Sequence, residues 1–165
     1  MGYLGDYHYP CVKDGKRAIQ VAYHEMLASA LAMKAFRKIE GNKDSSIGII
    51  LNLTPSYPKN YEQKHIEAAN IQDLFFNRSF LDPSVHGEYP KELVEILKEN
   101  DVLPTYEQKD LDAIHDNTTD FLGVNYYCPR RAQARTSEWK EDYFSPEKYF
   151  EPYSWPMAKM NKYRG

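Results

Sequence analysis

The stretch 120–127 limits the possible folds most, because its apolar run ends abruptly in an amide and two phenols. Such a run is typical of a buried strand whose polar end reaches an opening of the fold. In α/β proteins helices cover both faces of a parallel sheet, so binding groups collect at the carboxyl ends of the strands. Asn125 and Tyr127 are therefore candidates for ligand contact. The alternative is that Tyr126 and Tyr127 cap a core.

A second apolar run, residues 46–53, is rich in β-branched side chains and is followed by a proline-containing segment that cannot continue a strand. Asn52 thus occupies the same kind of position as Asn125. Apolar residues recur at helical spacing in four segments, and Asp82-Pro83 is expected to end the second of them. These predicted helices cover residues 17–39, 62–80, 91–100 and 107–115. Strand, helical crossover and strand indicate a parallel βαβ unit in an α/β fold.

Residues 129–165 form an aromatic, loop-rich tail without a helical or strand period. A long irregular segment inside a compact domain needs a reason. We expect the tail either to line a functional cleft or to pack on polypeptide that this chain lacks.

Charge and cysteine content disfavour several classes of function. The net charge of −3 argues against nucleic acid as a partner, since phosphate binding needs clustered Lys and Arg, and the cluster Arg130, Arg131 and Arg135 is interpreted as a solvated loop. No apolar run approaches the ~20 residues that span a bilayer. Cys11 and Cys128 belong to no C-x-x-C pair, so neither a metal nor a cofactor is indicated. We expect a cytoplasmic protein.

Several motifs, in order along the chain, resemble those of glycoside hydrolase family 1. The most specific is Gly123-Val124-Asn125-Tyr126-Tyr127. The others are Gly2-Tyr3-Leu4 with His8 and Pro10, residues 22–36, residues 48–52, Phe80-Leu81-Asp82-Pro83, and Gly87-Glu88-Tyr89-Pro90.

This resemblance implies a (β/α)8 TIM barrel, for which ~250 residues are typical. Only two barrel strands are recognisable here, and they resemble roughly the fifth and the sixth. We therefore expect residues 1–165 to be a single incomplete domain, a partial barrel with flanking helices.

The family's chemistry implies retaining hydrolysis by two glutamates held ~5 to 5.5 Å apart. Neither the Asn-Glu nor the Glu-Asn-Gly motif that carries them occurs in this sequence, so we expect no catalytic residue and no activity of the chain alone. The resemblance places Asn125 and Tyr127 at the cleft, where the tyrosine would hydrogen-bond the nucleophile. It places Asn52 and Tyr57 on the aglycone side.

Other side chains with acid–base chemistry are interpreted as structural. His24 and Glu25 lie in a predicted helix and Glu88 lies in a turn, so none is expected to replace the missing pair.

Within the family, residues 51–55, 129–131 and 160–165 most resemble bacterial 6-phospho-β-glucosidases. The substrate would then be a β-glucoside or a 6-phospho-β-glucoside. The resemblance leaves open whether the sugar is phosphorylated and whether glucosides or galactosides are preferred. An alternative function is a non-catalytic truncated protein that complements other fragments or self-associates. Exposed barrel edges would favour a homo-oligomer.

Overall fold

The computed structural model describes residues 2–41 and 44–154, so the motif at 160–165 lies outside the described residues. The chain combines helices and strands in an α/β fold. The elements are α1 (Gly15–Arg37), β1 (Gly48–Asn52), β2 (Ser56–Pro58), α2 (Gln63–Asp73), a π-helical turn (Leu74–Arg78), α3 (Ser79–His86), α4 (Lys91–Glu99), α5 (Gln108–Asp116), β3 (Phe121–Asn125), β4 (Arg130–Ala134), a 3-10 turn (Pro146–Lys148) and β5 (Phe150–Pro152).

The two strands of the opening prediction form a parallel pair. β1 and β3 align from Gly48 opposite Phe121 to Asn52 opposite Asn125, with the helices α2 to α5 between them in the chain. The predicted βαβ unit is therefore confirmed.

A second, three-stranded sheet continues from the carboxyl ends of that pair. β2 pairs with β4 in parallel, and β4 pairs with β5 in antiparallel orientation. Two hydrogen bonds span the junction, from Leu53 N to Asn125 O at 3.1 Å and from Arg130 N to Pro55 O at 2.8 Å. The sequence predicts no strand after residue 129, which is wrong for β4 and β5, because neither segment has the apolar run that marks β1 and β3. The proline-containing segment after β1 was also expected not to continue a strand, yet it forms β2.

The helix that was expected to end at Asp82-Pro83 continues to His86. Pro83 is buried, so packing of its ring offsets the backbone hydrogen bond that proline cannot donate. The helix ends at Gly87, whose φ of +74° is the left-handed conformation that glycine adopts without strain. A Cβ at this position would lie 2.8 Å from the Cα of His115.

Helix α1 is capped at its start and attached to the sheet at its end. Asp14 caps the helix by accepting a hydrogen bond from Arg17 N at 2.9 Å. At the other end, the Arg37 guanidinium donates to Asp120 at 2.6 Å, and Asp120, just before β3, also accepts from Ile47 N at 2.9 Å. The hydrogen bond from Ile47, followed by the Arg37 contact, lowers the pKa of Asp120. Asp120 thus connects α1, β1 and β3.

The core lies mainly among the helices, with two aromatic anchors from the tail. Phe144 joins the largest buried cluster, and Phe150 packs with Ala132 on the small side chains of α2. The buried members of the largest cluster are Leu74, Phe75, Leu93, Leu97, Val102 and Phe144. Across 2–41 and 44–154, no helix combines the length and the apolar character needed to cross a membrane.

Candidate functional site

The carboxyl ends of β1 and β3 bring two amide side chains together. Asn52 and Asn125 are register partners at the last paired position of the sheet, and both are exposed. Each follows an apolar strand, which is why the sequence alone indicates their position. As contacts to a ligand they remain predictions.

The two tyrosines after β3 do not cap a core of the described chain. Tyr127 is 74% exposed, and Tyr126 is exposed as well. Both follow Asn125 directly, so they stand at the same end of the sheet. Their phenol groups are therefore accessible to a ligand or to other polypeptide.

Tyr57 belongs to the second sheet and not to the parallel pair itself. It is opposite Arg131 in the register of β2 and β4, and the Arg131 guanidinium lies 5.8 Å from the centroid of its ring. Arg131 also donates to Pro58 O at 3.4 Å. A cation beside an aromatic face is attracted by the ring quadrupole, so the pair orients a half-exposed aromatic ring.

Asn77 holds the backbone where β1 ends, and sequence reasoning missed it. Its Oδ1 accepts a hydrogen bond from Thr54 N at 2.9 Å, and its Nδ2 donates to Thr54 O at 3.0 Å. Both residues are buried, and Asn77 also donates to Asp73 at 2.5 Å. The only available signal was a polar residue inside an apolar helical stretch.

His65 fixes the second sheet to α2. The imidazole is buried, and its Nδ1 accepts a hydrogen bond from Ala134 N at 2.8 Å. Nδ1 therefore carries no proton in this arrangement. No sequence pattern singles out this histidine, because its partner lies 69 residues away.

A carboxylate on β5 organises the loop that follows β4. Glu151 accepts hydrogen bonds from the Ser137 hydroxyl at 2.8 Å and from the backbone N–H groups of Ser137 and Thr136 at 3.2 Å each. These hydrogen bonds, the Ser137 hydroxyl first, lower the pKa of Glu151 to about 2. An ionised carboxylate thus defines the path of this loop.

The other candidate acid–base groups lie away from the elements that end at the Asn52 and Asn125 edge. His24 is on α1 with its Nε2 2.9 Å from the Gln20 Nε2, and Glu25 is on the same helix. Glu88 lies in the turn before α4 and is exposed. Among the residues the structure describes, no three His, Cys, Asp or Glu side chains are grouped to hold a metal ion.

Comparison with protein families and curated proteins gives consistent matches. The model of glycosyl hydrolase family 1 matches residues 1–163. The chain is 54% identical to 6-phospho-beta-glucosidase GmuD of Bacillus subtilis, over 99% of this chain and 35% of that protein. It is 32% identical to beta-glucosidase A of Acetivibrio thermocellus, over 77% of this chain and 28% of that protein. The chain therefore spans about a third of the length of these relatives.

Solved structures match the fold as well. The virulence factor SghA from Agrobacterium tumefaciens superimposes with a TM-score of 0.78 and 27% identity, covering 93% of this chain and 32% of that one. The family 1 β-glucosidase from Thermotoga maritima superimposes with a TM-score of 0.72 and 28% identity, covering 94% and 32% of the two chains.

Proposed function

Because the chain belongs to glycosyl hydrolase family 1, we propose that it supplies part of the sugar cleft of a retaining glycosidase acting on 6-phospho-β-glucosides. The observation that carries the proposal is the pairing of Asn52 with Asn125 at the open carboxyl ends of two parallel strands. Active sites of barrel enzymes are built at this end of the strands. The substrate class rests on the 54% identity to GmuD.

Retaining hydrolysis requires two carboxyl groups, one as acid and base and the other as nucleophile. The sequence contains neither the Asn-Glu nor the Glu-Asn-Gly motif, so the chain's own residues would bind and orient the substrate without performing the chemistry. Both glutamates would have to come from polypeptide other than these 165 residues. We therefore expect no turnover by the chain alone.

Each candidate residue has a role that its chemistry permits. The amides of Asn52 and Asn125 can donate to and accept from sugar hydroxyls. The Tyr127 phenol can donate to the nucleophilic carboxylate, and such a hydrogen bond favours the ionised form and lowers its pKa. Tyr57, oriented by Arg131, offers an aromatic face to an aglycone.

A chimera tests the cleft proposal. The 165-residue chain would replace the matching segment of GmuD, so that the host supplies both glutamates. We expect the chimera to hydrolyse 4-nitrophenyl 6-phospho-β-glucoside and the isolated chain to leave it intact. Turnover by the isolated chain would contradict the proposed division of roles. A chimera with native circular dichroism but no turnover would contradict the cleft assignment.

A second host tests the substrate class. In a second chimera, the 165-residue chain would replace the matching segment of beta-glucosidase A from Acetivibrio thermocellus. We expect the chimera in the GmuD host to hydrolyse the phosphorylated substrate. The chimera in the other host should show little activity on 4-nitrophenyl β-glucoside. The reverse result would assign the chain to enzymes that use plain glucosides. Assays of the same chimeras with a 4-nitrophenyl galactoside would show whether glucosides or galactosides are preferred.

One observation favours a second candidate function, self-association without catalysis. Ile50 on β1 is 68% exposed, and Phe121 and Val124 on β3 are exposed too. Within the described residues, this sheet has only two strands, so each has an unpaired edge. Light scattering at micromolar concentration would show a dimer or a larger oligomer, and Ile50→Lys should dissociate it. A stable monomer would exclude this function.

The thiols bear on the proposed cytoplasmic location. Cys11 and Cys128 are both free and exposed. Exposed thiols persist most readily in a reducing compartment. Titration with a thiol reagent immediately after lysis should count two thiols per chain. Recovery of a disulfide-linked species from cells would contradict the location.

A further inference from the structure

The helical layer contains an apolar cavity that the proposed cleft does not use. Its volume is about 400 Å³, and it lies among α1, α3, α4 and α5. None of Asn52, Tyr57, Asn125 and Tyr127 lines it. The walls include Ile19, Tyr23, Phe80, Leu93, Leu97 and Leu111.

One polar group in the wall lacks a hydrogen-bond partner in the part of the chain that the structure describes. The Tyr89 hydroxyl is buried and makes no hydrogen bond with the described residues. Burial raises the pKa of this phenol, so the group stays protonated. Nearby, the Tyr23 hydroxyl already donates to Asp110 at 3.3 Å. Because buried hydroxyls are normally paired, the unpaired Tyr89 group requires an explanation.

The size and the lining of the cavity suit a small apolar molecule. Ligand cavities typically measure about 300–1,000 Å³ and combine apolar walls with a few polar groups. An apolar cavity of about 150 Å³ already accommodates benzene. The space here therefore admits a molecule of one or two rings.

Charged groups at the cavity decide between neutral and anionic ligands. Glu88 and Asp112 are acidic residues at the exposed margin of the lining, and Asp110 accepts a hydrogen bond from the Tyr23 hydroxyl beside it. His115 also lines the cavity but is hydrogen-bonded to Asp116 at 3.1 Å. A carboxylate ligand would be repelled by this excess of negative charge.

We propose that this cavity is a binding site for a small neutral aromatic molecule that bears one hydroxyl group. The ring would lie among the leucine and phenylalanine side chains, and the hydroxyl would pair with Tyr89. A hydroxyl both donates and accepts, so it satisfies the Tyr89 phenol in either orientation.

The test titrates the 165-residue chain with phenol, toluene and benzoate while the methyl resonances of Leu93, Leu97 and Leu111 are followed by NMR. Phenol should cause saturable shifts, and benzoate should cause none. Tyr89→Phe should weaken phenol about fivefold, the expected effect of one lost hydrogen bond, and should change toluene by less than about twofold. Circular dichroism checks that the variant is folded.

A labelled Tyr89 ring in the unsubstituted chain provides a second measurement. Its 13Cζ resonance should move with phenol and stay nearly constant with toluene. The proposal is overturned if phenol gives no saturable shift, or if Tyr89→Phe weakens phenol and toluene equally. Shifts of the same methyl groups on dilution of the protein without phenol would assign the cavity to a second copy of the chain and would also overturn it.

Discussion

The Asn77 side-chain amide pairs with both backbone polar groups of Thr54, accepting from the N–H at 2.9 Å and donating to the carbonyl at 3.0 Å. Thr54 lies two residues after Asn52, so a turn in the helical layer sets the course of the chain as it leaves β1. This buried contact therefore holds the backbone between two of the candidate cleft residues, Asn52 and Tyr57.

Asn77→Leu should lower the free energy of unfolding by about 3 kcal/mol. The substitution leaves a buried backbone N–H and a buried carbonyl unpaired, and each unmade hydrogen bond costs roughly 1–3 kcal/mol. Urea denaturation measures the loss. Asn70→Leu, at an exposed position of α2, is the control and should change stability by less than about 0.5 kcal/mol. Equal losses in the two variants would contradict the role of Asn77.

Alanine substitutions at two glycines distinguish the cost of backbone strain from the cost of a steric clash. Gly87 and Gly41 have φ values of +74° and +92°, but only at Gly87 would a Cβ contact neighbouring backbone. Gly41→Ala should cost about 1 kcal/mol, the usual strain of a left-handed residue. Gly87→Ala should cost at least about 1 kcal/mol more, because the backbone at His115 must move. Thermal unfolding of both variants measures the difference, and equal melting temperatures would refute it.

Tyr23 and Tyr89 should respond in opposite ways to loss of the hydroxyl. Tyr89→Phe removes a buried hydroxyl that has no partner within 2–41 and 44–154, and it should raise the free energy of unfolding by about 1 kcal/mol. Tyr23→Phe removes a hydrogen bond to Asp110 and should lower it by about 1 kcal/mol. Urea titrations of both variants make the comparison. A loss of stability in Tyr89→Phe would indicate that the hydroxyl has a partner.

Glu151 should make stability depend on pH in the acidic range. Its pKa falls from 4.5 to about 2 in the folded chain, so the ionised form stabilises the fold fully above about pH 4.5. This contribution is lost as the pH falls from 4.5 towards 2. NMR titration of the Glu151 carboxyl carbon should give a midpoint near 2.

Ser137→Ala should raise that midpoint, since the Ser137 hydroxyl is the largest cause of the lowered pKa. Ser45→Ala, at an exposed loop position, is the control and should leave the midpoint unchanged. A midpoint near 4.5 in the unsubstituted chain would show that the loop does not hold the carboxylate.

The parts of the fold that follow from sequence are those with a local cause. The parallel pair of β1 and β3 follows from two apolar runs, each ending in an asparagine, and the register then places Asn52 opposite Asn125. α4 follows equally well from its apolar stripe, with Leu93 and Leu97 buried.

The parts that sequence reasoning missed depend on contacts between distant residues. Asn77 and Thr54 are 23 positions apart, and no pattern in either segment indicates the pairing. The strands β4 and β5 are held in place because Phe150 and Ala132 pack on the small side chains of α2. A search for alternating apolar and polar residues does not detect such a contact. Pro83 stays helical for the same reason, since burial outweighs its local preference.

The role of Tyr127 can be distinguished from that of Tyr126 in the active chimera with GmuD. Tyr127→Phe should lower kcat by about tenfold or more, because the nucleophilic carboxylate would lose a hydrogen bond that orients it and favours its charged form. The same loss raises the carboxylate pKa, so the acidic limb of the kcat/KM profile should move to higher pH.

Tyr126→Phe is the matched control, since it removes the same group one position earlier and should leave both the rate and the acidic limb nearly unchanged. A mere packing role for Tyr127 would reduce stability without moving the limb, so the pH profile distinguishes the two explanations. Equal effects of the two substitutions, or a limb that does not move, would show that Tyr127 does not contact the nucleophile.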